Sequence, residues 1–309
     1  MNTKNILITG GAGFIGSHLV NSLINESNVI VIDNLSNGTY ELIEKHTCSE
    51  NFFFYNKDIA KDFLDDIFEK HSINKIYHFA ANSDIEKSHK NPDIDYLNTF
   101  LTTFNILKLM VKFNIKEIVF ASTSAIYGDT LDLLHENYGP LLPISHYGAN
   151  KLASESVISS FTANYNFKAI IVRFPNVIGP FLTHGVIYDF NAKLLKNKNE
   201  LLVLGDGNQH KPYLYIEDLL NAIFLIEKNS TSSLNIFNIG NTSRSKVNFI
   251  ADQIRQKINF NAKIIYTGGK TGWIGDVPEF KYDISKLSSL GWKPKFTSDE
   301  AIIETIKSL

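Results

Sequence analysis

The chain has one cysteine, Cys48, among its 309 residues. A single thiol excludes an internal disulfide and a cysteine metal site, and it fits a reducing compartment, so a cytoplasmic location is expected. His18, His71, His89 and His135 show no metal-ligand spacing, and no metal is expected; His146, His184 and His210 are candidates for sugar contact instead. Arginine is scarce: Arg173, Arg244 and Arg255 are the only ones among 30 basic residues. Basic and acidic residues almost cancel, leaving a formal net charge of -2. That gives no electrostatic ground for nucleic acid or a membrane surface as partner. No apolar run is long enough to span a bilayer, and no signal peptide is expected. Internal repeats, low-complexity runs and an obvious interdomain linker are missing as well. What remains is an ordinary globular composition, 44% hydrophobic and 20% charged, at a length that suits one large domain or two modest ones.

Glycine is placed with purpose near the start. Ile6 to Ile8 reads as a buried strand, and Gly10-Gly11-Ala12-Gly13-Phe14-Ile15-Gly16 then turns the chain into a helix starting near Phe14. Gly10 permits the tight turn, Gly13 lets backbone approach a pyrophosphate, and Gly16 lets helix and strand pack closely. The pyrophosphate would lie on the free N–H groups of the helix start, around Phe14 and Ile15. A second apolar strand, Val29 to Ile32, ends in Asp33, placed to hold ribose hydroxyls, with Asn34 beside it. No arginine follows to receive a 2′-phosphate, so the expected cofactor is NAD.

Further strands are expected at Phe52–Tyr55, Lys75–Phe79 and Lys116–Ala121, with helical stretches between them. These include one after the polar loop 34–40, one near Lys61, and a long one from about Pro92 to Phe113 whose apolar stripe runs through Phe100, Phe104, Leu107 and Val111. Asp58 either accepts from adenine N6, with Ile59 against the ring, or caps the helix near Lys61. Ala80 and Ala81 are small enough for a cofactor to cross the strand ends, and Ser83 and Asp84 follow them as pocket candidates. This alternation predicts an α/β fold, a Rossmann-like doubly wound parallel sheet with ligands at the carboxyl ends of its strands.

The fifth strand ends in Ser122-Thr123-Ser124-Ala125, and Tyr147-Gly148-Ala149-Asn150-Lys151 opens a helix. Tyr147 and Lys151 share one face of that helix. A phenol titrates near pH 10, and bringing it to neutrality takes roughly 4 kcal/mol of preferential stabilisation of the phenolate. A lysine and a nicotinamide cation in a water-poor cleft supply energies of that order.

With these features the chain resembles the extended short-chain dehydrogenase/reductases, in the branch of NAD-dependent nucleotide-sugar epimerases and dehydratases, and most of all the UDP-glucose 4-epimerases. The likeness extends through His78-Phe79-Ala80-Ala81, Arg173-Phe174-Pro175-Asn176, Gly205-Asp206-Gly207, Gly275-Asp276 and Leu290-Gly291-Trp292. It implies that Tyr147 takes the proton of the sugar 4-hydroxyl, that Lys151 binds the nicotinamide ribose and lowers the tyrosine pKa, and that Thr123 bonds the reacting oxygen. It places Ser122 and Phe174 near the cofactor and Ser83, Ser124 and Asn176 near the substrate. Asn98 stands where the family has an asparagine behind the site. The resemblance also implies a homodimer, an NAD-binding domain over 1–176 with 214–243 returning to it, and a smaller substrate domain from 177–213 and 244–309.

Departures narrow the reaction. The dehydratases carry Asp-Glu where this chain has Ser124-Ala125, so no second acid or base is supplied and traffic at C4 of the sugar remains. The implied substrate is a nucleotide-diphosphate sugar and the implied reaction 4-epimerisation. The alternative is a C4 dehydrogenase, acting on a GDP-heptose among other candidates, that releases the 4-keto sugar. A silent NAD-binding sensor is a third reading, against which the intact Thr123, Tyr147 and Lys151 stand. Lys211 and Trp273 occupy the two usual diphosphate-gripping arginine positions. A lysine binds phosphate as a point charge, and Lys193 is a further candidate.

Overall fold

The computed structural model describes residues 3–83, 85–272 and 277–309, and for 85–87 the backbone alone. Asp84 and the segment Trp273-Ile274-Gly275-Asp276 lie outside the described residues. Two compact units emerge: Met1–Ile126 with His146–Arg173 and Asn229–Ile236, and Tyr127–Ser145 with Phe174–Lys228 and Phe237–Leu309.

The first unit is built on β1 (Lys4–Thr9), β2 (Ser27–Asp33), β3 (Phe52–Asn56), β4 (Lys75–His78), β5 (Glu117–Thr123), β7 (Lys168–Phe174) and β12 (Leu234–Asn238). They form a seven-stranded parallel sheet in the order β12-β7-β5-β4-β1-β2-β3. From β1 the chain runs outward to β2 and β3, then returns to β4 on the other side of β1. The order therefore reverses between β1 and β4, and a crevice for ligands opens at their carboxyl ends. The central strands are apolar on both faces because helices cover both. Leu7, Ile30, Ile32, Ile76, Ile118 and Phe120 of the sheet pack with Ile67, Phe68, Ile106, Leu107, Met110 and Ile158 of the helices.

Those helices are α1 (Phe14–Leu23), α2 (Asp65–His71), α3 (Ile85–Lys90), α4 (Asp93–Asp95), α5 (Thr102–Lys112) and α6 (His146–Tyr165). Between α4 and α5 the chain keeps coiling through a π-helical stretch, Tyr96–Leu101, a form frequent at functional sites. Two local expectations change. No helix follows Tyr40; two short 3₁₀ turns, Tyr40–Leu42 and Glu44–His46, stand there. Asp58 closes a turn in which Lys61 and Asp62 donate to its carbonyl, and α2 begins only at Asp65. On α5 the inward face carries Thr103, Ile106, Leu107 and Met110. Phe100 and Phe104 of the expected apolar stripe stack along the outer face, continued by Tyr96 and Phe161.

The second unit holds four strand pairs. Three are parallel: β6 (Leu133–Leu134) with β15 (Lys281–Tyr282), β8 (Asn176–Ile178) with β11 (Tyr213–Tyr215), and β9 (Glu200–Val203) with β14 (Lys263–Tyr266). One is antiparallel, β10 (His210–Lys211) with β13 (Ser245–Lys246). Around them lie α7 (Val186–Lys196), α8 (Ile216–Asn229), α9 (Val247–Ile258), α10 (Ser285–Ser288) and α11 (Ser298–Lys307). A capping box opens α11: Thr297 Oγ1 accepts from the Glu300 N–H, and the Glu300 carboxylate accepts from the Thr297 N–H at 2.8 Å. Thr297→Ala is expected to cost about 1 kcal/mol. Urea denaturation reads it, and an unchanged midpoint would contradict it.

Candidate active site

The glycine loop is shaped by contacts that leave no room for side chains. Gly10 has φ +72°, and a Cβ there would lie 2.7 Å from the Ala80 nitrogen. The loop after β1 thus lies directly on the loop after β4. At Gly16 a Cβ would meet the Gly10 carbonyl oxygen at 2.1 Å, so helix and loop are in backbone contact. Gly13 is the N-cap of α1 and no side chain caps that end, which leaves the first N–H groups for an anion. This cradle fits a pyrophosphate. Gly16→Ala must displace the loop, and NAD affinity is expected to fall at least about tenfold. Titration calorimetry on the folded variant checks this; unaltered affinity would contradict it.

Asp33 is buried at the end of β2. Its carboxylate accepts from the Ala12 N–H at 2.9 Å and the Leu35 N–H at 2.8 Å, so it ties the glycine loop to the strand end. Burial raises its pKa, opposed by those two hydrogen bonds. Two backbone bonds leave lone pairs for ribose hydroxyls. Asp58 accepts from the Ala60 N–H and the Lys61 ammonium, each at 2.9 Å, and from Asn34. Its neighbour Ile59 is buried.

The end of β4 is fixed by a network that sequence reading did not anticipate. His78, wholly buried, lies between two threonine hydroxyls: Nδ1 is 2.7 Å from Thr9 Oγ1, and Nε2 is 3.0 Å from Thr103 Oγ1. The Thr103 hydroxyl donates to the Thr99 carbonyl, so it accepts from Nε2–H. Thr9 then donates to Nδ1 and accepts from the Ala80 N–H at 3.2 Å. Burial, with the nearby Lys151 charge, pushes the His78 pKa down to about 3. It is a neutral strut that sets Ala80 beside Gly10; Ala80 and Ala81 are both half-buried.

Tyr147 and Lys151 stand one turn apart at the start of α6. Lys151 is buried, donates to the Ala121 carbonyl at 2.6 Å, and lies 4.8 Å from the centroid of Phe120 and 6.0 Å from that of Tyr147. Burial lowers its pKa to about 7, against the support of the Asp95 and Glu155 carboxylates. Tyr147 keeps part of its surface open, while its hydroxyl is closely surrounded and bonded to Thr123. Burial raises its pKa to about 12, the Thr123 bond lowers it, and Asp95 raises it further. Thr123 itself is buried and accepts from the Ala125 N–H at 3.1 Å. At rest the phenol is therefore protonated. Making it a base at neutral pH takes about five units, or about 7 kcal/mol, more than the lysine alone provides in this structure.

α6 turns an unusually polar face inward, with Lys151, Ser154, Glu155 and Thr162 among its buried residues. Buried charge must be paired, and here Arg173 of β7 donates to Glu155 from Nε at 3.0 Å and from its terminal nitrogen at 2.7 Å. Ser122 donates to the same carboxylate. This triad anchors the strand end that carries Thr123. Ser124 and Ser83 are half-buried in their loops, and Phe174, half-buried, ends β7.

In the second unit, Asn176 is exposed on β8 and donates to the Pro212 carbonyl at 3.3 Å. Lys193 of α7 donates to the Leu202 carbonyl at 3.2 Å and lies over Phe190. Lys211 pairs with Ser245 across β10 and β13. The structure thus brings Thr123, Tyr147 and Lys151 together and gathers Gly10, Gly16, Asp33 and Ala80 at the sheet's switch point.

Residues 6–240 match the NAD dependent epimerase/dehydratase family. A candidate UDP-glucose 4-epimerase of Methanocaldococcus jannaschii is 37% identical over 305 residues, covering 96% of this chain and 95% of its own length. The crystal structure of a UDP-glucose 4-epimerase of Thermotoga maritima with UDP-glucose is similar at TM-score 0.87 and 31% identity, covering 98% of both chains. That of a Thermus thermophilus UDP-glucose 4-epimerase with NAD is similar at TM-score 0.87 and 27% identity, again over 98% of both. The chain belongs to the NAD-dependent epimerase/dehydratase family. It is an enzyme of the nucleotide-sugar epimerase class and NAD is its cofactor.

Proposed function

We propose that the chain is a nucleotide-sugar 4-epimerase that acts by transient oxidation at C4 of the sugar, with a UDP-hexose as substrate. The observation that carries this reading is the Thr123–Tyr147–Lys151 constellation beside a loop with no second acid or base. Relatives named as UDP-glucose 4-epimerases over nearly the whole chain support it.

NAD, when bound, would supply reversible hydride transfer at sugar C4. Gly10, Gly13, Phe14, Ile15, Gly16 and Asp33 hold it, with Asn34, Asp58, Ile59, Ala80, Ala81, Ser122 and Phe174 around it. Thr123 bonds the sugar 4-oxygen. Tyr147 takes the proton from that oxygen, and Lys151 holds its positive charge near the phenol and donates to the nicotinamide ribose. The Lys151 charge favours the phenolate of Tyr147, which stands at about 12 in this structure, and a bound cationic nicotinamide would add to that. In this reading the stretches 177–213 and 244–309 grip the nucleotide, with Asn176, Lys193 and Lys211 as its contacts and Ser83 and Ser124 facing the sugar. We also assign a homodimer, supported by the outward aromatic row Tyr96, Phe100, Phe104 and Phe161.

The test is to incubate the protein with UDP-hexoses, UDP-N-acetylhexosamines and GDP-sugars in turn, following NADH absorbance and the sugars by NMR. A C4 epimer without NADH build-up supports the reading. NADH rising in step with a keto sugar would replace it with the dehydrogenase.

A further inference from the structure

Behind the strand ends of the first unit, five ionisable side chains are buried together: His78, Asp95, Lys151, Glu155 and Arg173. Four have evident partners. Glu155 and Arg173 hold each other, His78 sits neutral between two threonines, and Lys151 donates to the Ala121 carbonyl. Asp95 differs. It lies at the end of α4, where the π-helical stretch begins, and it is wholly buried. Its Oδ1 accepts from Asn82 Nδ2 at 2.8 Å, and its Oδ2 has no hydrogen-bond partner among the described residues.

A buried carboxylate with an open oxygen is costly unless a nearby charge offsets it. The charges that face it are few. α6 supplies Lys151 and Glu155, the latter neutralised by Arg173 of β7. From β4 comes the neutral His78, and on α3 the described ionisable side chains, His89 and Lys90, are exposed, as is Asp93 on α4 itself. Among the described residues the one uncompensated positive charge in reach is Lys151, and Asp95 acts on both Lys151 and Tyr147. With Asp95 counted, the buried set of Lys151, Arg173, Glu155 and Asp95 balances to zero.

We propose that Asp95 is a positioning residue of the Tyr147–Lys151 pair, holding the Lys151 ammonium charged inside the protein and keeping the proton on Tyr147 until cofactor and substrate are in place. This rests on the proposed role of that pair in epimerisation. The sign follows from charge alone. A negative group favours the ammonium of Lys151 and disfavours the phenolate of Tyr147. Removing it therefore moves both ionisations to lower pH.

The experiment uses the NAD-loaded protein and its Asp95→Asn and Asp95→Ser variants. Tyr147 is titrated through the near-ultraviolet absorbance of its phenolate, as the difference from the matching Tyr147→Phe protein, and epimerisation is measured across the same pH range. In both Asp95 variants the Tyr147 phenolate is expected at lower pH than in wild type, and the alkaline limit of turnover moves the same way. A merely structural residue would lower thermal stability and leave the titration in place. An unchanged Tyr147 titration in a folded variant overturns the proposal. So does failure of both variants to fold, since that would assign Asp95 to the scaffold. The titration needs no sugar. A shifted titration without turnover of any nucleotide sugar would sink the epimerase reading and leave Asp95 in place; turnover with an unshifted titration would do the reverse.

Discussion

Tyr147→Phe is expected to abolish epimerisation, by at least about a thousandfold, while NAD still binds. Positioned acid–base groups contribute about 10²–10⁴ in rate, and among the described residues no neighbour is placed to take over. The Thr123 hydroxyl is bonded to Tyr147 and to the Ala125 N–H and is far too weak a base. His78 is a doubly bonded strut with its pKa near 3. Asp95 is wholly buried and accepts from Asn82. In its charged form Lys151 has no lone pair to offer, and it is bonded to the Ala121 carbonyl. Phenylalanine keeps the ring over which Lys151 lies, so cofactor contacts survive. Calorimetry for NAD and NMR for the sugar read the two halves separately. Turnover near the wild-type rate would show that the proton leaves by another route.

Arg173→Met is expected to cost about 3–5 kcal/mol of stability, because it strands the Glu155 carboxylate without its counter-ion. Both partners are almost fully buried, at 3% and 5% side-chain exposure, so water cannot replace the guanidinium. The damage reaches function as well. Ser122 shares that carboxylate and adjoins Thr123, and Glu155 is one turn beyond Lys151 on α6. The double variant Glu155→Gln with Arg173→Met removes the stranded charge and is expected to lose less than the single one. Denaturation midpoints of both proteins test this. A single variant within about 1 kcal/mol of wild type would show that the pair carries little.

What the sequence disclosed was what short-range spacing determines. The glycine loop, Asp33 and the Tyr147–Lys151 turn are each defined within a few residues, so their backbone context could be read directly. Helical spacing over Pro92–Phe113 identifies a continuous coil, but spacing alone does not say which face is buried, and Phe100 and Phe104 turn outward. The segment after Tyr40 has helical residue types yet forms only 3₁₀ turns. The polar residues that organise the site were hidden for a different reason. Asp95, Glu155 and the His78 bridge matter through partners far away in the chain: Asn82, Arg173, Thr9 and Thr103. Asp95 looks like one more polar residue at a helix start, and only the sheet and α6 packed around it turn it into a buried charge.

The central claim is that the sugar is oxidised at C4 and reduced again within one site. UDP-galactose carrying deuterium at C4 tests it directly, by NMR of the UDP-glucose formed in ordinary water. The account predicts an epimer that keeps the deuterium at C4, with no keto sugar or NADH accumulating. Loss of the label to solvent, or a labelled cofactor accumulating beside a free keto sugar, would contradict it.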